Sequence, residues 1–412
     1  MSKNVVVIGG GAAGMMAAIS AAENGAAVTL LEPNERLGKK LNITGKGRCN
    51  VTNNCSMEEL LANVPRNGRF LYSAFSRFSS QDTMAFFEAL GVPLKTERGN
   101  RVFPQSDSAF DISDALKRRL NKLHVRWERD RAVCIEADEH GVQAVCGEKQ
   151  RYAAQAVILA TGGMSYPGTG STGDGYRMAQ ELGHTVIEPV GSLVPLESND
   201  VCCGKMQGLA LKNVELTVLN KKNKAVFREF GEMLFTHFGV SGPLVLSASA
   251  HLRNWDKDTY RLVIDLKPAL DEQKLEARIL RDIAEQSNRD AEKIVAGLVP
   301  HSMVAVVLEK LAWPEGLKAH SVTREQRRAL VELLKKFAIS VTGPRPVREA
   351  IVTSGGIKVS EVQPSTMESK KVPGLYLAGE ILDVDAYTGG FNLQIAWSTA
   401  RLAADSIAYE AE

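Results

Sequence analysis

The sequence of 412 residues lacks the features that mark several classes of protein. No apolar run approaches the ~18 residues that a membrane-spanning helix needs. The six cysteines show no CxxC spacing, which argues against a zinc site or a redox pair of that type. The apolar N-terminus is soon broken by glycines, and no cleavage pattern follows. These absences predict a cytoplasmic protein with no membrane span, no metal site and no structural disulfide.

A strong overall charge is also missing, because the net charge is only +2. The composition, 44% hydrophobic and 24% charged, is that of a globular chain with a sizeable core. Charge is nevertheless uneven, since the segment from Arg36 to Arg131 holds 18 Lys or Arg against 10 Asp or Glu. Such an excess suits either the counter-charges of a phosphate-bearing cofactor or a surface for a polyanion.

A glycine motif near the N-terminus predicts a dinucleotide site. The stretch "NVVVIGGGAAGMMAAISAAENGAAVTLLEP" reads as a strand, a turn, a helix over 12–24 and a second strand. Gly9, Gly11 and Gly14 form G-x-G-x-x-G, which permits a tight turn, close approach of a pyrophosphate and packing of helix on strand. The helix N-terminus then points at the phosphates. Glu32 ends the second strand, where an acid binds a ribose and disfavours a 2′-phosphate.

Two later segments favour FAD over NAD. "AVILATGG" (156–163) is predicted to be a buried strand that ends in a turn of small residues. Such a strand is expected where the chain passes a bound FAD for the second time. "GLYLAGE" places Glu380 after another strand, and Gly389 and Gly390 open a last helix. The N-terminus of that helix would stabilise the negative charge of a reduced flavin.

Several longer motifs resemble those of one known family. In order they are "LGKKLNITGKGRCNVTN", "RVFPQSDSAF", "ATGGMSYPGTGSTGDGY", "GEMLFTHFGVSGP" and "TSGGIKVSEV" with "GLYLAGEILDVDAYTGGFNLQIAWSTA". With the glycine motif and Glu32, they resemble the BaiN/RdsA family of bacterial FAD proteins over nearly the whole chain. The resemblance implies an α/β fold with a discontinuous Rossmann-like FAD-binding domain, in two parts at 1–190 and 343–412. It also implies an inserted small β-domain (191–270) and an inserted helical subdomain (271–342).

The residues of the insert agree with this layout. "NVELTVLN" and "YRLVIDLK" alternate as strands do, and the segment from Asp271 to Phe337 has helical spacing. "TREQRRALVELLKKF" is predicted to be its last helix, with Thr323 as the N-cap.

The resemblance implies reduction of a carbon–carbon double bond that a carbonyl group activates. The sequence is similar above all to the RdsA type, which makes dihydrouridine in large-subunit (23S) ribosomal RNA. The family's other type reduces an enone of steroid or bile-acid kind. Either reaction would use FAD and a transiently bound NADH or NADPH as reductant. The alternative from another class is a flavoprotein whose FAD is structural and whose role is to bind RNA or ribosomal particles.

The predicted FAD contacts lie in the glycine motif, in the segment that follows Glu32 and in the later strand ends. FAD is expected to be bound non-covalently, because the early flavin-facing segments hold no histidine. The predicted contacts are Gly9, Gly11, Ala12, Ala13, Gly14, Glu32, Arg36, Lys39, Lys40, Thr44, Gly45, Arg48, Cys49, Asn50, Val133, Thr161, Gly162, Gly379, Glu380, Gly390, Asn392 and Leu393.

The loop "LNITGKGRCN" is expected to run along the cofactor towards the isoalloxazine ring. Gly45 allows close backbone approach, Arg48 can offset pyrophosphate charge, and Thr44 and Asn50 can donate to flavin carbonyls. Cys49 would then lie beside the ring, either as a small packing residue or as a catalytic or gating thiol. A neighbouring arginine would lower the pKa of this thiol.

Two other residues are candidates for catalysis. His237, in "LFTHFGVSGP", either faces substrate or is a structural histidine. Tyr387, in "DAYTGG", either donates a proton or lines the pocket.

Two further patterns leave alternatives open. Gly168, Gly170 and Gly173 also spell G-x-G-x-x-G, but no β-branched strand leads straight into them. They indicate either a loop at the flavin or a second site for NAD(P)H. The segment "PRNGRFLYSAFSRF" mixes Arg66, Arg69 and Arg77 with aromatic residues. It suits either RNA, through phosphate contacts and stacking, or an amphipathic helix whose aromatic side chains are core.

Overall fold

The computed structural model describes residues 2–253, 255–256 and 258–409. The chain forms two compact units. The first comprises Met1–Ser192 and Pro346–Glu412, and the second comprises Leu193–Arg345.

The first unit begins with an alternation of strands and helices. In chain order its elements are β1 (Asn4–Ile8), α1 (Ala12–Glu23), β2 (Ala27–Leu31), β3 (Thr52–Asn53), α2 (Met57–Ala62), α3 (Tyr72–Arg77), α4 (Ser80–Ala89), β4 (Leu94–Glu97), β5 (Arg101–Pro104), α5 (Ala109–Lys122), β6 (Arg126–Glu128), β7 (Ala132–Asp138), β8 (Gly141–Gly147), β9 (Arg151–Ala153), β10 (Ala156–Leu159), α6 (Asp174–Glu181) and β11 (Val186–Ser192).

The second unit follows, and the chain then returns to the first. The second unit holds β12 (Leu196–Glu197), α7 (Val201–Lys205), β13 (Ala210–Leu219), β14 (Ala225–Thr236), β15 (Gly239–Ser241), α8 (Pro243–Ser249), β16 (Tyr260–Asp265), α9 (Glu272–Glu285), α10 (Ala291–Ala296), α11 (His301–Leu311), α12 (Arg324–Lys335), β17 (Phe337–Val341) and β18 (Gly343–Pro344). The returning segment adds β19 (Val352–Ile357), β20 (Leu375–Leu377) and α13 (Phe391–Tyr409).

A parallel sheet of five strands, in the order β20-β10-β1-β2-β6, forms the centre of the first unit. All four residues of β10 are buried, as is typical of a parallel strand covered on both faces. Because the strands are parallel, their carboxyl ends meet at one edge of the sheet. That edge brings together the residues that follow β1, β2, β10 and β20, where ligands bind in open α/β sheets. The predicted α/β fold is confirmed.

The first unit also contains two smaller sheets. One has the order β3-β5-β4 and the other the order β7-β8-β9. In addition β11 pairs antiparallel with β19, so that Ser192 lies opposite Val352. The chain therefore leaves the first unit and re-enters it on neighbouring strands.

The second unit contains a seven-stranded sheet in the order β17-β16-β13-β14-β15-β12-β18. The strands predicted from "NVELTVLN" and "YRLVIDLK" fall in β13 and β16, and the helical segment forms α9 to α12. Thr323 is the N-cap of α12, and its hydroxyl accepts the backbone N–H of Gln326. Strands and helices of this unit share one hydrophobic core, separate from the core of the first unit. The finer division of the insert into two domains stays a prediction.

Across the described ranges, every helix is too short or too polar to cross a lipid bilayer.

Candidate cofactor and active site

The glycine turn after β1 has the geometry that a bound pyrophosphate requires. Gly9 has φ +106°, and a Cβ there would lie 2.6 Å from the carbonyl oxygen of Ala160. A Cβ on Gly14 would lie 1.7 Å from the Gly9 carbonyl oxygen, so only glycine lets α1 approach β1 this closely. A Cβ on Gly11 would meet nothing within 4 Å, which leaves open space at the start of α1. Ala12 and Ala13 form the first turn, which has no side-chain cap.

Glu32 lies directly after β2 and faces this turn. Its side chain is buried, with 8% of the residue exposed. The carboxylate accepts the backbone N–H of Gly10 at 2.7 Å and both N–H groups of Asn34, the backbone one at 2.9 Å and the side-chain one at 2.7 Å. A carboxylate fixed beside the glycine turn is suited to accept a ribose hydroxyl.

The second glycine motif lies against the same place. Asn34 donates from its side chain to the Thr169 carbonyl oxygen at 3.0 Å. Gly170 has φ +103°, and a Cβ there would lie 2.6 Å from the Asn34 amide nitrogen. β10 ends well before Gly168, so no strand leads into this motif. The contacts favour a loop at the first dinucleotide site over a second site for NAD(P)H.

Lys40 and Glu380 meet at the carboxyl edge of the sheet. The Lys40 ammonium donates to Glu380 and to the Ser165 hydroxyl, each at 2.7 Å. Glu380 also accepts the Thr353 backbone N–H at 2.8 Å. Lys40 is therefore neutralised within the protein, whereas Arg36 and Lys39 are exposed. The Lys39 ammonium lies 3.5 Å from the side-chain oxygen of Asn34.

The remaining strand ends complete this edge. Gly162 has φ +74°, and Gly379 has φ +79° and packs so closely on Ala13 that a Cβ would lie 2.8 Å from its methyl group. The Thr161 hydroxyl oxygen is buried and has no hydrogen-bond partner among the described residues.

The loop that follows Lys40 is unusually tight. Gly45, Lys46, Gly47 and Cys49 all have left-handed backbone conformations, with φ between +56° and +84°. Thr44 donates its hydroxyl to the Leu41 carbonyl oxygen at 2.7 Å. The loop is thus a fixed turn.

The Arg48 side chain is bound by two carboxylates. Its guanidinium donates to Glu97 and Asp107, each at 2.5 Å, and lies 4.1 Å from the centre of the Phe103 ring. Arg48 therefore fastens the loop to β4 and β5. The predicted role of Arg48 as a counter-charge for phosphate gains no support from this arrangement.

Cys49 is completely buried. Burial raises the pKa of its thiol to about 12, partly offset by a hydrogen bond with the Thr44 side chain. The pKa shift is opposite to the one expected from a neighbouring arginine, because burial dominates it. The Arg48 guanidinium is engaged by two carboxylates. At neutral pH Cys49 is a protonated thiol.

Asn50 has a polar atom that is suited to bind a cofactor. Its side-chain oxygen is buried, and no donor in the described part of the chain reaches it; the same is true of Asn42. Buried polar atoms in folded proteins are almost always paired. With the open space at Gly11 and the unpaired hydroxyl of Thr161, these atoms fit the polar edge of a flavin dinucleotide.

The start of α13 packs on the strand that follows this loop. A Cβ on Gly390 would lie 2.3 Å from the Thr52 carbonyl oxygen. Asn392 accepts the Ala386 N–H at 2.9 Å and donates to the Ala386 carbonyl oxygen at 2.7 Å, which fixes the turn before the helix. Leu393 is half-buried. α13 thus begins beside the loop that carries Cys49 and Asn50.

Two residues that fix this packing were absent from the predicted site. Trp397 donates its indole N–H to the Val51 carbonyl oxygen at 2.9 Å, and Gln394 bonds to the Thr52 hydroxyl at 2.5 Å. The signal available in the sequence was residue type, since one Gln and one Trp stand out among the small and apolar residues of "FNLQIAWSTA".

The other predicted residues are more dispersed. Tyr387 is half-buried in the first unit, and its backbone N–H donates to the Asn63 carbonyl oxygen at 3.0 Å. Val133 is exposed at the start of β7, where its carbonyl oxygen accepts from Arg177 at 2.7 Å. His237 is exposed in the second unit, between β14 and β15, with its ring edge-to-face on Phe238. The structure brings Cys49, Asn50 and the α13 N-terminus together within the first unit.

The segment from Pro65 to Phe78 is tied to the fold. Phe75 and Phe78 are buried in the core, whereas Tyr72 is 59% exposed. Arg66 pairs with Asp383, and Arg77 pairs with Asp405 at 2.6 Å. The contacts favour the core interpretation for Phe75 and Phe78 and give two of the three arginines structural partners.

The prediction missed a pair of arginines on a turn that is bonded to the segment before α13. Arg98 and Arg101 are exposed at the turn between β4 and β5. The Asn53 side chain donates to the carbonyl oxygens of Gly99 and Gly389, both at 3.0 Å. One side chain thus links this cationic turn to the segment just before α13. The sequence signal for this turn was the excess of Lys and Arg in residues 36–131.

No cluster of three or more metal-ligating side chains occurs within the described ranges.

Comparison with known proteins agrees with this geometry. The family model for the HI0933-like protein Rossmann domain matches residues 3–406. A 3-dehydro-bile acid delta(4,6)-reductase of Clostridium scindens is 30% identical over 402 residues, which are 96% of this chain and 97% of that protein. A ribosomal RNA dihydrouridine synthase of Escherichia coli is 31% identical over 398 residues, 96% of each chain.

A solved structure shows the same fold. It is the 3-ketosteroid-delta4-(5alpha)-dehydrogenase of Rhodococcus jostii RHA1, with a TM-score of 0.53 and 15% identity. The match covers 99% of this chain and 97% of that one. These comparisons confirm the family resemblance, the Rossmann-like FAD-binding fold and the prediction of an oxidoreductase.

Proposed function

The chain belongs to the HI0933-like protein family, and from this membership we propose that it is an FAD-dependent reductase that converts uridine to dihydrouridine in large-subunit ribosomal RNA. The observation that carries the choice of substrate is the exposed pair Arg98 and Arg101, which Asn53 holds beside Gly389. Exposed guanidinium groups beside a proposed active site suit a phosphate backbone. The similarity to the Escherichia coli dihydrouridine synthase supports the same choice.

The proposed cofactor is a non-covalently bound FAD. The glycine turn and α1 would hold its pyrophosphate, Glu32 a ribose hydroxyl, and Asn50 and Thr161 polar atoms elsewhere on the cofactor. Acid precipitation of the purified yellow protein should leave the colour in the supernatant. Colour that stays in the pellet would instead indicate a covalent link.

The chemistry divides between cofactor and protein. A bound FAD supplies the hydride equivalent, with NADH or NADPH as its reductant. The C5=C6 bond of uracil is conjugated to the C4 carbonyl, so C6 is electrophilic and C5 must then gain a proton. We assign that proton to the thiol of Cys49, which burial keeps protonated at neutral pH. Tyr387 and His237 are the alternative donors.

The base must leave its stack to enter such a site. An unpaired or loosely structured region of the RNA is therefore the expected target. Close approach of the base needs a narrow, fixed entrance, and we assign one side of it to the tight turn that Arg48 anchors.

A second candidate function is reduction of a small-molecule enone. The Clostridium scindens reductase favours it, because that protein is similar over as much of the chain as the synthase is. The two reactions share the electron-poor double bond and differ in the group that surrounds it.

One experiment separates the two functions. Ribosomal RNA from cells with and without the protein is digested to nucleosides and analysed by mass spectrometry. We expect a dihydrouridine signal that disappears with the gene and returns when purified protein and NADH or NADPH are added. A steroid 4,6-dien-3-one is tested in parallel; its reduction without any change in RNA would establish the second function. Failure of NADH and NADPH to reduce the bound flavin would point to a structural FAD.

A further inference from the structure

Two cysteines lie directly opposite each other in the sheet β7-β8-β9. The antiparallel pairing of β7 and β8 sets Cys134 against Cys146, just after an irregularity in the register at Val133. Residues opposite each other in an antiparallel pair have Cα atoms about 4.5–5.5 Å apart. That separation lies within the about 4.4–6.8 Å that a disulfide spans. Both thiols are free and half-buried.

The side chains around this pair form a small polar row on one face of the sheet. The Cys146 thiol donates to Glu136 at 3.0 Å, and the Arg151 guanidinium donates to the same carboxylate at 2.8 Å. Arg151 lies opposite Cys146 on β9. The hydrogen bond to Glu136, and then the contact with the Cys134 thiol, raise the pKa of Cys146 to about 12. Cys146 is thus a protonated thiol in contact with both a second thiol and a carboxylate.

We propose that Cys134 and Cys146 form an oxidisable dithiol, a modification site that closes to a disulfide when hydrogen peroxide reaches it. The Cys134 thiolate attacks one peroxide oxygen, the O–O bond breaks, and Cys134 sulfenic acid and hydroxide result. The Cys146 sulfur then attacks the Cys134 sulfur. Its proton passes to the Glu136 carboxylate and leaves with the sulfenic oxygen as water. Each disulfide therefore consumes one peroxide and two thiols.

The site is distinct from the proposed reaction and does not depend on it. Cys49 is fully buried in the loop after Lys40, whereas Cys134 and Cys146 are partly accessible on a separate sheet. A reducing cytoplasm would keep the dithiol open, so the disulfide would form only under peroxide stress.

The sequence permits a direct test by peptide mapping. Trypsin releases both cysteines in one peptide, 132–149, because no Lys or Arg lies between Arg131 and Lys149. The folded protein is exposed to hydrogen peroxide, alkylated under denaturing conditions and digested. We expect this peptide to lose two hydrogens and to resist alkylation at both cysteines. Cleavage after Glu139 should leave its halves joined until a reductant is added.

Matched variants make the result specific. Cys134→Ser and Cys146→Ser should each abolish the cross-link. Cys202→Ser is the control, because a hydrogen bond from Cys203 lowers the pKa of Cys202 to about 7 and makes it the competing reactive thiol. The cross-link should persist in that variant, and Glu136→Gln should slow its formation. Two alkylatable thiols in peptide 132–149 after treatment, or further oxidation of Cys134 without the link, would overturn the proposal.

Discussion

Cys49 combines a left-handed backbone, complete burial and a protonated thiol in one residue. If this thiol gives the proton to C5, Cys49→Ala should slow product formation by ~10²-fold, the usual scale for losing a general acid. Binding of FAD and its reduction by NADH or NADPH should remain, since neither needs the proton. Single-turnover kinetics with ribosomal RNA would measure the slow step separately from flavin reduction.

The matched control for this change is Cys55→Ala. Cys55 is also buried, and burial raises its pKa to about 11, but it lies outside the loop that carries Asn50. The Cys55→Ala variant should form product at the normal rate. Cys49→Ser should recover little activity, because a hydroxyl is a much weaker acid. Near-normal turnover of Cys49→Ala would make Cys49 a packing residue and leave Tyr387, His237 or solvent as donor.

Glu32 offers a second test on a single side chain. If Glu32 binds the ribose, Glu32→Ala should remove a charge-assisted hydrogen bond worth about 1.5–3 kcal/mol, so the FAD dissociation constant should rise by about tenfold or more. Titration of the apoprotein with FAD, followed by flavin fluorescence, measures this. Glu35→Ala is the control, because Glu35 is exposed. An unchanged dissociation constant would mean that Glu32 does not bind the ribose.

At the scale of elements, Glu361 joins the returning segment to the earlier part of the first unit. Its carboxylate accepts the Thr185 N–H at 2.8 Å and hydroxyl at 2.7 Å, and pairs with Lys371 at 3.0 Å. Partial burial alone would raise the pKa of Glu361, but the bonds from Thr185 and Lys371 outweigh it and lower the pKa to about 2. A lowered pKa means that the ionised form stabilises the folded state.

The stabilisation by Glu361 should therefore depend on pH in one direction. It is complete above the unfolded pKa of about 4.5 and is lost as the pH falls towards about 2. Glu361→Gln should lower the free energy of unfolding, measured in urea at pH 7, by about 3 kcal/mol. Below pH 4.5 the free energies of unfolding of the variant and the wild type should approach each other, over the pH range in which both proteins are folded. Glu139→Gln, at an exposed position, is the control. A loss independent of pH would indicate packing rather than charge.

The turn between β4 and β5 carries the prediction about RNA. Arg98→Glu combined with Arg101→Glu should lower affinity for a ribosomal RNA fragment by about tenfold at moderate salt and flatten its salt dependence. Reduction of the flavin should stay normal, because neither arginine belongs to the proposed cofactor site. Filter binding over a series of salt concentrations measures both effects. The control is the same charge reversal at the exposed residues Lys222 and Lys224. Equal losses of RNA affinity in both variants would contradict the assignment of this turn to RNA binding.

Sequence patterns predicted the local elements better than the long-range pairs. G-x-G-x-x-G, Glu32 and the Thr323 cap depend on neighbours along the chain, and their geometry follows from residue type. The partners of Arg66 and Arg77 lie far along the chain, at Asp383 and Asp405, so no local pattern revealed them. The same holds for Arg48, because its partners Glu97 and Asp107 also lie far along the chain.

On the scale of the whole molecule, the chain divides into two units that do not share a core. The buried cluster of the first unit contains residues from both segments that form this unit. The second cluster lies entirely between Leu196 and Val341. The points of departure and return are held near each other, since Ser192 lies opposite Val352 and donates its hydroxyl to Asp385 at 2.7 Å. The second unit is thus an insertion at one place in the first.

This layout predicts that the first unit binds its cofactor alone. Replacement of residues 193–345 by a short glycine-serine linker should leave a folded protein, because every proposed FAD contact lies outside the excised segment. After gel filtration it should retain FAD at close to one per chain, and Glu32→Ala in the same shortened chain should lower that ratio. His237 is lost with the insert, so any RNA reduction that survives excludes it as the proton donor. A shortened chain that folds, judged by circular dichroism, yet holds no FAD would show that the insert contributes to the cofactor site.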